Sequence, residues 1–472
     1  MNRVLLPLFA AFLAIVPGAR GQSPEETNQL ARDSFKELIE INTTDSVGST
    51  TQAAEAMAAR LRAAGFAEKD VVVMGPNPRK GNLIARIHGT SMAKPILLLG
   101  HLDVVEARRE DWTTNPFEFV EKDGYFYGRG TVDMKDGAAI LVADFIRLKR
   151  EGVIPQRDLI LALTADEEGG TSNGVEWLLK NHRDWIDAEY CINLDGGDFM
   201  SKQGKKIYAA MQASEKVYLD FQLEVRNPGG HSSRPTRDNA IYHLAEGLAR
   251  LAKFEFPVDL NEVTRSMLER SATLETGQLA ADMKGAAQNP QEPAAVARLS
   301  DNPFYNAILR TTCVATRLDA GHANNALPQR ARANVNCRIL PGEAPEKIKK
   351  TLVRVLADPQ ISVNFVEAHA SDGTVIPPVL VSPSPLRPDV LGATERVVRE
   401  LYAIPVIPVM DTGASDGKYL RLAGIPTYGI SGTFLDLDNR RAHGQDERIR
   451  VTDFYDGVAF QYRLIKALSG AN

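Results

Sequence analysis

The sequence predicts an α/β fold, a mostly parallel sheet flanked by helices and interrupted by an inserted, more antiparallel domain. Three observations predict it. Short apolar runs alternate with helical patterns through the first half of the 472-residue chain. Near residue 215 the texture changes to strict polar–apolar alternation, and near 343 it changes back.

The first element lies apart from the fold. Arg3 precedes an apolar run from Val4 to Val16, Pro17-Gly18 breaks it, and Ala19-Arg20-Gly21 supplies small residues. That order reads as a secretory signal peptide over residues 1–21. The run is short of the roughly 20 residues that span a bilayer, and no cysteine follows it to carry a lipid. The expected destination is secreted or periplasmic, with no stable membrane span after cleavage. A net charge of −5 gives no reason to expect nucleic acid or an anionic membrane surface as partner.

An amphipathic helix is expected around Gln29–Ile41, and an alanine-rich one over Thr51–Ala64, closed by Gly65. The runs PILLLG (95–100), LILALTA (159–165) and EYCINL (189–194) read as fully buried strands. Between the first two, residues 135–149 place Ala138, Leu141, Val142, Phe145 and Ile146 on one helical face. Residues 22–214 therefore form the first part of the main domain. Residues 215–340 form the insertion, whose runs VYLDFQLEV, 311–317 and 331–340 alternate as half-exposed antiparallel strands do. Within it, Glu255–Asn302 is proline-containing and weakly periodic. Residues 341–472 complete the main domain. Three cysteines, Cys191, Cys313 and Cys337, are too few for a disulfide framework. Cys313 and Cys337 lie on extended runs that can face each other, but three buried thiols are the simpler expectation.

The chemistry-bearing residues gather where strands end. GHLDVV (100–105), ADEEGG (165–170) and NLDGGD (193–198) each follow an apolar run, and AHGQDER (442–448) follows the strand-like TYGISG. Ligands in open α/β sheets collect at the carboxyl ends of strands. Four segments thus bring His101, Asp103, Glu167, Glu168, Asp195 and His443 to one rim. GRGTVDMKDG (128–137) adds Asp133 at the start of a helix, where the dipole favours an anion. Two imidazoles with several carboxylates suit paired zinc ions, roughly 3.5–4 Å apart in hydrolases. Two dications at 4 Å repel by about 16 kcal/mol at an effective dielectric near 20, so a carboxylate is needed between them. Asp133, Glu168 and Asp195 with one hydroxide balance the four charges, leaving His101 and His443 neutral. Asp103 is expected to accept the second N–H of the His101 ring. Glu167 is left to carry a proton to the leaving amine. Each element alone is weak, since a lone His-x-Asp or an acidic run is more often structural; their joint placement carries the inference.

Together GHLDVV, GRGTVDMKDG, TADEEGG, NLDGGD and the late His443 resemble the dizinc metallopeptidase family of aminoacylases, glutamate carboxypeptidase and carboxypeptidase S. The resemblance runs in order over essentially the whole mature chain. It implies a zinc-exopeptidase-type fold with an inserted α/β lid, or dimerisation, domain. It further implies that His101 and Asp195 hold one Zn2+, Glu168 and His443 the other, that Asp133 bridges both, and that Glu167 is the general base. NPGGHSSRP (227–235) matches the lid motif, so His231 is expected to polarise the substrate carbonyl, often across a homodimer. Asn325 of NALP and Arg338 of NCRILPG match positions that hold the substrate carboxylate, a role suited to a planar guanidinium. Gly413, in GASDG, matches a loop lining that pocket. Two departures stand out: Asp195 replaces the glutamate of some members, and NALP replaces NVIP.

The expected function is a two-zinc hydrolase of a peptide or amide bond next to a free C-terminal carboxylate, a metallocarboxypeptidase or dipeptidase. An aminoacylase acting on N-acyl amino acids shares every step and is the alternative. A non-catalytic secreted binding protein of the same fold would have lost a ligand or the base, and none is lost here. Nitrogen–oxygen sites also accept Co2+ or Mn2+.

Overall fold

A computed structural model describes residues 23–369, 375–376, 378–439 and 441–471. The signal-peptide segment, 1–21, lies outside the described residues. The main sheet runs, edge to edge, through Val71–Met74, Asn82–Ile87, Leu159–Thr164, Ile96–His101, Tyr190–Asn193, Thr427–Gly429, Lys205–Glu215, Phe199–Lys202 and Phe434–Asp436. Val406–Asp411 pairs with Lys205–Glu215 in parallel. The centre is parallel, with Leu159–Thr164, Ile96–His101, Tyr190–Asn193 and Thr427–Gly429 side by side.

Both faces of that centre are covered, which is why its strands read as unbroken apolar runs. Ile96 and Leu98 pack among the helices Pro24–Glu40, Thr50–Ala63, Lys135–Arg150 and Val451–Ser469. Leu97 and Leu99 face the opposite layer, with Val175, Leu178 and Leu420. The first helix begins sooner than its periodicity suggests. Ser23 caps it, with Glu26 closing a reciprocal capping box and Pro24 in the first turn.

A second sheet orders Thr312–Ala320, Arg330–Ile339, Val217–Arg226 and Ser362–Phe365, all antiparallel. The helices Ala240–Leu251 and Pro345–Leu356 close one face of it over Phe221, Leu223, Val335 and Ile339. The sequence ends this domain at residue 340, and the strand pairing corrects that. The helix at 345–356 restores α/β texture but packs on the second sheet, whose fourth strand extends to Phe365.

The weakly periodic stretch at 255–302 also resolves differently. It holds the short helices Glu262–Ser271, Gly277–Gln288 and Pro293–Ser300, followed by Pro303–Leu309. Asn261, Glu292 and Asn302 cap three of them. They make a small core of their own, and the first leans on the main sheet: Met267 packs with Ile407 and Met410, and Arg270 bonds Glu395 at 2.7 Å. Runs of two or three turns carry too few apolar repeats to stand out as a pattern.

The expectation of three free thiols is corrected as well. Cys313 lies directly opposite Cys337 with Cα atoms 4.1 Å apart, and the two are bonded. The register of the strands, rather than the number of cysteines, decides the pairing. Cys191 remains a buried free thiol.

Candidate metal centre

Strand register brings the site together. His101 is the last residue of its strand and is level with Thr164, while Leu99 is level with Asn193. Glu167 and Glu168 follow Thr164 within one turn, and Asp195 follows Asn193, so three strand ends meet at one rim. Asp133 comes from the turn that starts the helix Lys135–Arg150. His443 comes from the loop before Arg448–Arg450. That loop and the Asp133 turn are locked by a buried pair: Arg129 bonds Glu447 at 2.5 Å, and Glu447 also accepts the Val132 N–H at 2.9 Å. Arg129 further donates to the Gly444 carbonyl at 3.2 Å, bracing His443 in the left-handed region at φ 62°.

At the centre, Asp133 presents Oδ1 to His101 Nε2 at 3.1 Å and Oδ2 to His443 Nε2 at 3.0 Å. His443 Nε2 also lies 2.8 Å from Glu168 Oε1. Donor atoms of His101, Asp133 and Glu168 fall within 4.8 Å of one another, as do those of His101, Glu167 and Asp195. One carboxylate thus stands between two imidazoles, with a second acid at each end.

Asp103 differs from expectation. The His101 Nδ1 partner is the backbone carbonyl of Asp103, at 3.0 Å, whereas the Asp103 carboxylate stands 3.7 Å from that nitrogen. Its two oxygens instead accept the backbone N–H groups of Glu167 and Glu168, at 3.1 and 3.0 Å. The Asp103 carbonyl faces the ring, which leaves the carboxylate for the neighbouring loop. Asp103 therefore holds the two glutamates rather than the imidazole.

That loop has a second clamp, absent from the sequence reading. Buried Lys80 bonds Asp45 at 2.6 Å and also bonds Asp166, whose φ is 57°. Asp166 Oδ2 accepts the Ser172 N–H, and a Cβ on Gly170 would stand 2.4 Å from that oxygen. Asn173 links the loop to Asp416, donating to its carboxylate at 2.6 Å. Asp416 was legible as part of GASDG. Lys80 sits in a polar turn 86 residues from its partner and offered no local signal.

The electrostatics describe a site short of positive charge. Burial lifts Glu167 to about 10, with Asp195 adding to it. Burial also drives Asp195 well above the carboxylate range, helped by Asp133 and Asp416 and opposed by His101. Asp416 rises to about 6, through burial, against its bond from Asn173. Bonds to Asp133 and Glu168 carry His443 to about 10. At His101 burial works downward, but the Asp133 bond and the charges of Asp103 and Asp195 leave it well above its ordinary value. Protons crowd onto acids and imidazoles when buried anions lack cations. This nitrogen–oxygen donor set, with one acid between two imidazoles, fits a pair of zinc-like cations.

A cavity of about 520 Å3 opens beside Glu167 and Glu168. Arg338 and Gly413, both expected in the substrate pocket, line it, as do Lys418 and Tyr419. The Arg338 guanidinium lies 4.8 Å over the Tyr218 ring. Much of the remaining wall is apolar, with Val217, Leu219, Val366, Val379 and Val381.

His231 and Asn325 are not among these residues. His231 is exposed on a two-stranded ribbon, Gly230–His231 against Ala326–Leu327, and its Nδ1 accepts the Ser233 N–H at 3.1 Å. Asn325 is exposed on the same ribbon, accepting the Ser232 N–H at 3.1 Å. The ribbon brings the two segments side by side, and neither residue is among those lining the cavity beside Glu167.

A family model described as "Peptidase family M20/M25/M40" matches residues 97–467. The human N-fatty-acyl-amino acid synthase/hydrolase PM20D1 is 28% identical over 385 residues, covering 79% of this chain and 74% of its own. A probable carboxypeptidase S-like 2 of Dictyostelium discoideum is 29% identical, covering 79% and 71%. A crystal structure of an M20 family metallo-carboxypeptidase from Sulfolobus solfataricus superposes with a TM-score of 0.66 at 18% identity, over 93% of this chain and 99% of that one.

Proposed function

Since the chain belongs to peptidase family M20/M25/M40 and is a metal-dependent hydrolase, we propose that it cleaves the amide bond next to a free carboxylate, in a small peptide or an N-acyl amino acid. The observation that carries this is Asp133, whose two oxygens face two different imidazoles at 3.1 and 3.0 Å beside a cavity lined by Arg338. In this reading His101 and Asp195 would hold one cation, Glu168 and His443 the other, and Asp133 would serve both. Two bound zinc ions supply Lewis-acid activation of water and of the substrate carbonyl.

The chain's own groups do the rest. Glu167 takes a proton from the attacking water and returns it to the leaving nitrogen, so that water and an amide become an acid and an amine. Asp103 holds Glu167 and Glu168 in place through their backbone N–H groups. Arg338 binds the substrate carboxylate with its planar fork. Changing Glu167 to Ala is expected to leave bound metal unchanged and to lower kcat by roughly 10²–10⁴-fold. Metal analysis alongside turnover tests this; unchanged turnover refutes the assigned base.

The apolar wall of Val217, Leu219, Val366, Val379 and Val381 favours a substrate with an apolar acyl or side chain. This supports the N-acyl amino acid reading, and the named activity of PM20D1 points the same way. We further propose a homodimer through the inserted domain. Thr312–Ala320 is an edge strand with Val314 and Leu318 60% and 67% exposed, an open template for a second copy. In such a dimer His231 and Asn325 serve the partner's site. Light scattering that gives a monomer mass refutes it. Export is proposed from the charged, apolar and small-residue order of residues 1–21; no helix among the described residues is long and apolar enough to cross a membrane.

A further inference from the structure

The cavity beside the acidic rim holds a cation that the mechanism above leaves unused. Lys216 lines it too, but is almost wholly buried and donates to the Arg310 carbonyl at 2.6 Å. Arg421, behind it, is engaged by Glu215 at 2.7 Å and by the Thr427 carbonyl. Lys418 is different. Its ammonium lies 4.6 Å from the Tyr419 ring centroid, and among the described residues no ion pair ties it to a carboxylate. Asp416 and Glu167 act on it only through space.

A half-buried ammonium is stabilised when an anion pairs with it, and this one shares a cavity wall with the proton carrier. A substrate's free carboxylate sits one residue away from the bond to be cut, within about 3.8 Å of chain. Glu167 and Lys418 line one cavity, so a substrate bound there meets both.

We propose that Lys418 is a substrate-binding residue whose ammonium takes the free carboxylate of the peptide or N-acyl amino acid, from the same chain that carries the metal centre. The proposal rests on the carboxylate-reading function given above. It makes the preference for free acids partly independent of the ribbon residues His231 and Asn325. An ammonium is a compact charge with three donors, so it accepts a carboxylate in several orientations. Arg338, 4.8 Å from the Tyr218 ring centroid, supplies the planar fork.

The test compares the wild type with Lys418→Met and Lys418→Arg on one N-acyl amino acid and on its C-terminal amide. Melting temperature and metal content are measured for each variant. Lys418→Met is expected to raise KM for the acid about tenfold or more, to leave KM for the amide unchanged, and to keep kcat within about threefold. Lys418→Arg is expected to recover part of the acid KM. Calorimetric binding of the acid to the metal-free protein should weaken in step. If Lys418→Met melts early, Lys418→Gln replaces it. Equal losses on acid and amide, a fall in kcat at constant KM, or no change at all overturn the proposal. A wild type that cuts amide and acid equally well sinks the carboxylate-reading function itself. A wild type that prefers the acid, with Lys418→Met keeping that preference, sinks only the role of Lys418.

Discussion

Replacing Asp103 by Asn separates two accounts of this residue. Its carboxylate accepts two backbone N–H groups, from Glu167 and Glu168, at 3.1 and 3.0 Å, and stands 3.7 Å from the His101 ring. An asparagine of the same shape keeps one acceptor and turns an NH2 group toward the other N–H. One charge-assisted bond is lost, worth about 1.5–3 kcal/mol, and a donor then faces a donor. If that energy holds the glutamate loop in its working position, turnover falls roughly 10- to 150-fold. The assay is a double-mutant cycle on kcat with Glu167→Gln. Because Asp103 acts through the backbone of Glu167, its effect should largely vanish once Glu167 is disabled. Full additivity, with the Asp103 loss undiminished in the Glu167→Gln background, would refute the loop argument.

Two further predictions concern stability. Removing the Cys313–Cys337 bond by replacing both residues with Ala should cost about 3 kcal/mol, because the bond closes a loop of 24 residues. A urea midpoint unchanged by the double variant, and by reductant in the wild type, would contradict it. His243 lies between Asp358 at 2.6 Å and Asp238 at 3.1 Å, and those bonds raise its pKa above 6.5 against a smaller effect of burial. A raised histidine pKa means stability that is fully present below the unfolded value and lost as pH rises through the folded one. The melting difference between wild type and His243→Ala, about 0.5 kcal/mol for so open a pair, should therefore be present near pH 6 and fade as pH rises through the raised histidine pKa. A difference that grows with pH would reverse the sign and exclude this pair as its source.

Much of the site was legible because its residues sit beside the strongest local signals in the chain. An apolar run long enough for a doubly covered strand, such as Ile96–Leu99 or Leu159–Leu163, announces where a strand ends, and His101, Glu167 and Asp195 follow such ends directly. The shared rim follows from parallel pairing, which sends consecutive strand ends to the same edge. Periodicity located the helix behind Asp133 for the same reason.

What the tertiary structure alone decided are matters of register and long-range contact. The groups that Asp103 serves depend on which loop packs against its carboxylate. The bond between Cys313 and Cys337 depends on which residues of two strands stand level. The short helices at 262–309 owe their stability to one another and to the edge of the main sheet, so no single one carries a clear pattern. The clamp of Lys80 on Asp166, and the place of Lys418 in one cavity with Glu167, bring together residues far apart in the chain with no period to mark them. Local sequence determines which elements form, because helix and strand patterns repeat within a few residues. Packing determines which polar groups meet, because each buried ion or donor takes whichever partner the assembled elements bring within 3 Å or so.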